Sequence, residues 1–101
     1  MAAITDEQVE RVRELVASIP AGRVSTYGDI AAAAGLSSPR IVAWIMRTDS
    51  ADLPWHRVLP VSGRPAAHLA TRQLENLRSE GVLAVDGRVR LGEIRFAFGA
   101  D

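Results

Sequence analysis

Apolar residues recur at every third or fourth position from Val9 through Val12, Leu15, Val16 and Ile19. That spacing places one stripe of a helix against a core. Thr5-Asp6-Glu7-Gln8 just ahead of the stripe has the form of a capping box, and Pro20-Ala21-Gly22 ends the pattern. After a short extended piece over 23–25, Thr26 is placed to cap a second helix over about 27–34. Asp29 favours its positive end and Gly35 stops it. Ser38-Pro39 starts a third helix that runs to about Arg47, serine being a good cap and proline being welcome in a first turn. Two short helices joined by Gly35-Leu36-Ser37 predict a helix-turn-helix, with Arg40 near the N-terminal end of its second helix. Trp44 in that helix is expected to face the core or the helix edge.

Pro54, Pro60, Pro65 and Gly63 then predict an ordered loop with one short strand at about 57–59. A fourth helix follows over about 70–80, with Leu74 and Leu77 facing inward and Gly81 as its left-handed cap. Residues 82–85, the Asp86-Gly87 turn and residues 88–91 read as a two-residue hairpin. The tail over 92–101 carries Ile94, Phe96 and Phe98 to a packing site that the pattern does not specify. The expected fold is mainly α with a small β-hairpin, in the order of a winged helix-turn-helix DNA-binding domain.

With 101 residues, 48% of them hydrophobic, the chain can enclose one modest core, which predicts a single domain over 1–101. The longest apolar runs, at 30–34 and 41–46, are too short to cross a bilayer, and the acidic residues 1–10 lack a secretory hydrophobic region. A soluble intracellular protein is the expectation. The absence of cysteine removes disulfides, thiolate metal sites and thiol nucleophiles. His56 and His68 are spaced unlike any zinc pattern, so neither a metal nor another cofactor is expected. Net charge is zero, yet residues 37–72 hold five arginines (Arg40, Arg47, Arg57, Arg64, Arg72) against Asp49 and Asp52, a net +3. A local basic face on a neutral domain follows. All twelve basic residues are arginine, which suits bidentate phosphate contacts, although a GC-rich genome produces the same bias.

The run Ile19-Pro20-Ala21-Gly22-Arg23-Val24-Ser25-Thr26-Tyr27-Gly28-Asp29-Ile30-Ala31 resembles the opening of the alkylguanine-DNA alkyltransferase DNA-binding domain, and Leu53-Pro54-Trp55-His56-Arg57-Val58 resembles its active-site motif. The transferases carry Pro-Cys-His-Arg-Val there, and tryptophan in place of the cysteine is the mark of the alkyltransferase-like subfamily. The resemblance covers roughly residues 9–85. It implies that His56 and Glu80 occupy the positions of the groups that activate the family's thiolate. An indole offers only an N–H donor, so no alkyl acceptor remains. A flat apolar wall for packing against a flipped base does remain. On composition alone Trp55 would be a core aromatic; its place between Pro54 and His56 reverses that.

The resemblance further implies that Tyr27 presses on the phosphate beside the target nucleotide, and that Arg40 enters the duplex through the minor groove to fill the vacated space. Ser38, Ala43 and Thr26 complete the expected DNA-facing set. The resemblance implies that Val58 and residues 62–68 line the lesion pocket, mainly through main-chain groups, with Arg64 or His68 as the basic residue at its rim, while Arg57 is expected to brace carbonyls around the motif. The implied partners are double-stranded DNA containing O6-alkylguanine and the proteins of nucleotide excision repair. The chain would act as a monomer and off the membrane, nucleoid-associated in a bacterial cytoplasm or nuclear in a eukaryote. Three departures stand out: the asparagine that braces the family's motif is missing from Asp49-Ser50-Ala51-Asp52; where the family keeps small residues after the arginine, Ile41, Ala43 and bulky Trp44 follow it, with Pro39 ahead; and the loop after the motif is shortened.

Two other readings compete with a non-enzymatic lesion sensor. One is a hydrolase in which His56 and Glu80 activate water against the flipped base. The other is a winged-helix regulator that reads undamaged sequence through Arg40 and its neighbours, which explains the hairpin but not the motif around Trp55.

Overall fold

The structure, a computed structural model, describes residues 4–99; expectations for the first three and last two residues lie outside it. The capping box forms at the start of the chain, with the Thr5 hydroxyl accepting from the Gln8 N–H at 3.1 Å and Gln8 Oε1 accepting from the Thr5 N–H at 2.9 Å. It opens α1 (Asp6–Ala17). After β1 (Ser25–Thr26), the Thr26 hydroxyl caps α2 (Tyr27–Ala34), and Gly35 at φ 70° ends that helix in the left-handed region that favours glycine. Ser38 caps α3 (Pro39–Thr48). These three helices enclose the larger core, in which Val12, Leu15, Val16, Ile19, Ile30, Val42 and Ile45 are buried.

α3 assigns its core face to Val42 and Ile45, and this turns Trp44 outward with 45% of its surface exposed. Of the two positions expected for Trp44, the core is overturned by this: in a helix with one buried stripe, a residue two positions from Val42 and one from Ile45 lies off that stripe.

A 3-10 turn at Trp55–Arg57 leads into β2 (Val58–Leu59), which pairs in parallel with β1, Ser25 opposite Val58 and Thr26 opposite Leu59. The strand expected at 57–59 is therefore one residue shorter, because the Arg57 N–H is spent on closing the turn to the Pro54 carbonyl at 3.0 Å. α4 (Ala70–Ser79) buries Gln73 and Leu77. The hairpin consists of β3 (Ala84–Val85) and β4 (Arg88–Val89), joined by Asp86 and Gly87 at φ 53° and 75°. Positive φ at both positions is the geometry of a type I′ turn. The ladder is shorter than the expected 82–85 and 88–91 because Val82 turns into a second core with Val24, Leu59, Leu77 and Val89.

The tail lies beside Val24. The Val24 N–H donates to the Ile94 carbonyl at 2.9 Å, and the Phe96 N–H donates to the Val24 carbonyl at 2.7 Å. Arg95 grips Asp29 through two bonds of 2.7 and 2.9 Å and holds that carboxyl below the usual carboxylate range. Phe96 and Phe98 meet edge to face and close the larger core, and Ile94 packs on the second. No described helix is long and apolar enough to cross a membrane.

Candidate nucleic-acid interface

The Pro54-Trp55-His56-Arg57 turn is held by one carboxylate. Glu80, at the end of α4, accepts from Arg57 Nη2 at 2.6 Å and Arg57 Nε at 3.0 Å, meets His56 Nε2 at 2.9 Å, and accepts from the Gly22 N–H at 3.4 Å. The Arg57 guanidinium, then His56 and the Gly22 amide, outweigh the desolvation of the carboxyl and bring its pKa down to about 2. Arg57 also donates to the Ile19 carbonyl at 2.8 Å, so one guanidinium ties the motif to the end of the first helical segment. On its other side the turn is held by Gln73, whose amide donates to the carbonyls of His56 at 3.1 Å and Val58 at 2.8 Å. Gln73 is almost fully buried. Replacing it with leucine leaves both carbonyls without a donor, and the expected loss is about 1–3 kcal/mol of unfolding free energy, measurable as a lower urea midpoint at unchanged slope.

The segment ahead of the motif is clamped by Arg13 of α1. Its guanidinium donates to the Asp49 carbonyl at 2.7 Å, to Asp49 Oδ1 at 3.3 Å and to Asp52 Oδ1 at 3.1 Å. Arg13 holds the Asp52 carboxyl below its ordinary range. An arginine from a distant helix thus does the bracing that the segment 49–52, which has no asparagine, leaves open.

Between this clamp, α3 and α4 lies an open cavity of about 730 Å³. Tyr27 forms one wall, Ala43, Met46, Arg47 and Thr48 of α3 another, residues 49–52 a third, and Trp55, Ala66, His68, Leu69, Arg72 and Gln73 the rest. The indole of Trp55 is half-buried, set edge-on to His56 with ring centroids 6.2 Å apart. The guanidinium carbon of Arg72 lies 5.5 Å from the indole centroid, within cation–π range. Burial pushes the Tyr27 phenol up, so it stays protonated as a hydrogen-bond donor at neutral pH. A flat aromatic wall, a phenol and a guanidinium around an open space suit a planar ring with hydrogen-bonding edges.

Of the residues expected around this space, Tyr27, Ala43 and Trp55 line it, as do Ala66 and His68 of the segment 62–68. Val58 does not: its side chain is 1% exposed in the larger core, because its backbone pairs with Ser25. Arg64 does not either; it donates to the Asp86 carbonyl at 3.1 Å over the hairpin turn. His56 and Glu80 hold the turn from behind and are absent from the lining. Thr26 is buried, its hydroxyl taken by the Asp29 N–H, so its side chain presents nothing to a partner. Ser38 is half-buried and caps α3, and Arg40 is exposed at the start of that helix. The sequence marks Arg72 only as one arginine of the basic stretch and not as a pocket residue, and it does not single out Gln73; the spacing of Gln73 four residues before Leu77, on the inward stripe of α4, is the signal for the second.

Among the described residues, four α-helices with a helix-turn-helix, a short wing and a ring-sized cavity beside the second helix of the pair define a small DNA-binding domain built around a side pocket. The chain belongs to the family described as 6-O-methylguanine DNA methyltransferase, DNA binding domain, whose model matches residues 7–82. It is 36% identical over 101 residues to the DNA base-flipping protein of Escherichia coli K12, covering 92% of this chain and 77% of that protein. It is 38% identical over 84 residues to alkyltransferase-like protein 1 of Schizosaccharomyces pombe, covering 76% of this chain and 78% of the relative. The S. pombe Atl1 structure in complex with damaged DNA containing O6-carboxymethylguanine superposes with a TM-score of 0.84 at 31% identity, over 93% of this chain and 98% of that one. The Mycobacterium tuberculosis O6-methylguanine methyltransferase superposes at 0.66 and 28% identity, over 83% of this chain and 53% of that one.

Proposed function

We propose that this protein is a non-enzymatic sensor of O6-alkylguanine in double-stranded DNA, which turns the damaged nucleotide into the cavity beside Trp55 and holds it there. The single observation that carries this reading is the cavity itself, walled by an indole at the position where the transferases place their cysteine. With no cysteine in the chain, no thiolate is available to accept the alkyl group. Trp55 provides a stacking wall, and Tyr27 stands where a phenol can meet the backbone beside the flipped nucleotide. Arg40 fills the gap left in the duplex, with Ser38 and Ala43 alongside. Arg72, held over the indole, takes the role of rim cation that the sequence reading gave to Arg64 or His68, and His68 lines the same space. Double-stranded DNA is the partner; the held lesion would be passed on to nucleotide excision repair, and the protein would act as a monomer.

The hydrolase reading is disfavoured by Glu80. A carboxylate held at a pKa of about 2 by Arg57 is a poor general base at neutral pH, and with His56 it sits behind the turn, outside the cavity lining.

Titration of O6-methylguanine and undamaged duplexes tests the sensor reading. Stacking on an aromatic side chain contributes about 1–3 kcal/mol per base, so Trp55→Ala should weaken binding of the lesion roughly 5- to 100-fold and shrink the preference for damage. Equal affinity of the wild-type protein for both duplexes, with Trp55→Ala leaving both unchanged, would sink it. A strong consensus sequence selected irrespective of damage would favour the regulator instead.

A further inference from the structure

Trp44 is the one large aromatic on α3 that neither the core nor the cavity uses. It is 45% exposed, lies four residues after Arg40 and three before Arg47, and so shares their outward face. Both arginines are exposed. Ala43, Met46 and Arg47 turn one flank of the helix toward the cavity, and Trp44 stands on the other flank of the Arg40–Arg47 line. The helix face therefore carries two guanidiniums suited to phosphates or a duplex gap, with an exposed indole beside them, continuous with the cavity mouth.

We propose that Trp44 is a second wedge into the duplex, stacking on a base pair near the flipped nucleotide while Arg40 occupies the gap itself. The proposal rests on the lesion-sensor reading. An indole has one N–H donor and no acceptor, so it reads little of the donor and acceptor pattern on base edges. Its flat face is suited to stacking, which every base accepts. Apolar wedges of this kind unstack a base step and kink the duplex. Four residues along a helix advance about 6 Å, close to two base-pair steps at about 3.4 Å each. With α3 laid along the duplex, Trp44 meets the stack about two base pairs from Arg40. Two side chains entering the same few base pairs would lower the cost of opening them, and the gain would apply to damaged and undamaged DNA alike.

The test uses duplexes with and without O6-methylguanine, carrying 2-aminopurine two base pairs to either side of the target guanine and a dye at each end. 2-Aminopurine brightens on losing its stacking partners, and energy transfer between the ends reports bending. For the wild-type protein, brightening at one of the two positions and a bend are expected. Trp44→Ala should abolish that brightening, reduce the bend and weaken both duplexes by a similar factor of about ten, with the ratio of damaged to undamaged affinity preserved. Trp44→Phe should restore most of each signal. Unchanged affinity and 2-aminopurine emission in Trp44→Ala would overturn the proposal, as would weaker binding with wild-type emission, which would mean a surface contact without insertion. A wild-type protein with no preference for the lesion would instead remove the sensor reading and leave the wedge to be judged on the undamaged duplex.

Discussion

Glu80→Ala lowers the unfolding free energy by about 2–3 kcal/mol, at the lower end of the cost of orphaning a buried ion pair because some solvent reaches the site. Among the described residues, the variant leaves the Arg57 guanidinium with only the Ile19 carbonyl, and His56 Nε2 and the Gly22 N–H without the Glu80 carboxylate. For a domain of this size the melting temperature should fall on the order of 10 °C. Because the same bonds orient the turn that carries Trp55, lesion binding should weaken as well. The sign of the pH effect follows from the depressed carboxyl. Its folded pKa, about 2, lies below the ordinary value of 4.5, so the stabilisation is fully present above about pH 5 and is lost as pH falls through 4.5 toward 2. Glu80→Gln should flatten that part of the acid stability curve relative to the wild-type protein. A wild-type slope retained in Glu80→Gln would mean that other carboxyls, such as Asp29 and Asp52, carry the acid sensitivity.

Gly63→Ala is expected to be more damaging, at more than about 3 kcal/mol, with a collapse of the urea midpoint. Gly63 sits at φ 77°, and an added Cβ would stand 2.0 Å from the Val89 carbonyl oxygen and 3.1 Å from its carbon. Neither is the movable end of a side chain. The close approach exists because the Val89 N–H donates to the Gly63 carbonyl at 2.8 Å while the Gly63 N–H closes a turn to Pro60 at the same distance, which pins the loop after the motif onto the hairpin. Gly35→Ala and Gly81→Ala supply the comparison. Both glycines have positive φ, but nothing lies within 4 Å of a new Cβ, so each should cost only about 1 kcal/mol of backbone strain. Equal losses at the three positions would show that strain, not the approach to Val89, governs Gly63.

These expectations depend on parts of the protein with unequal visibility in the chain. The helix caps were legible because a cap is a local bargain between one side chain and backbone amides two or three residues away: Thr5, Thr26 and Ser38 do what their spacing indicated. The Asp86-Gly87 turn was legible for the same reason, since positive φ at two successive residues restricts the residue types that fit. The exposure of Trp44 and the burial of the Val58 side chain were not legible, because each requires knowing which face of a short element meets the rest of the molecule. A ten-residue helix with apolar residues at Ile41, Val42, Trp44, Ile45 and Met46 has more hydrophobic positions than core contacts, and only the packing of α1 and α2 selects Val42 and Ile45.

Residue order alone determined the helices and their stops, the hairpin turn, the absence of any thiol chemistry and the motif around Trp55. All are decided by contacts within a few residues or by which atoms the chain contains. Tertiary structure decided which cation stands over Trp55, that Arg13 takes over the bracing of the motif, that Gln73 feeds the carbonyls of His56 and Val58, and that Trp44 is free to meet a partner. Each of these joins groups from 15 to 39 residues apart or depends on what fails to be covered. Such pairings follow from how α1, α3 and α4 converge on one turn, and no local pattern encodes that convergence.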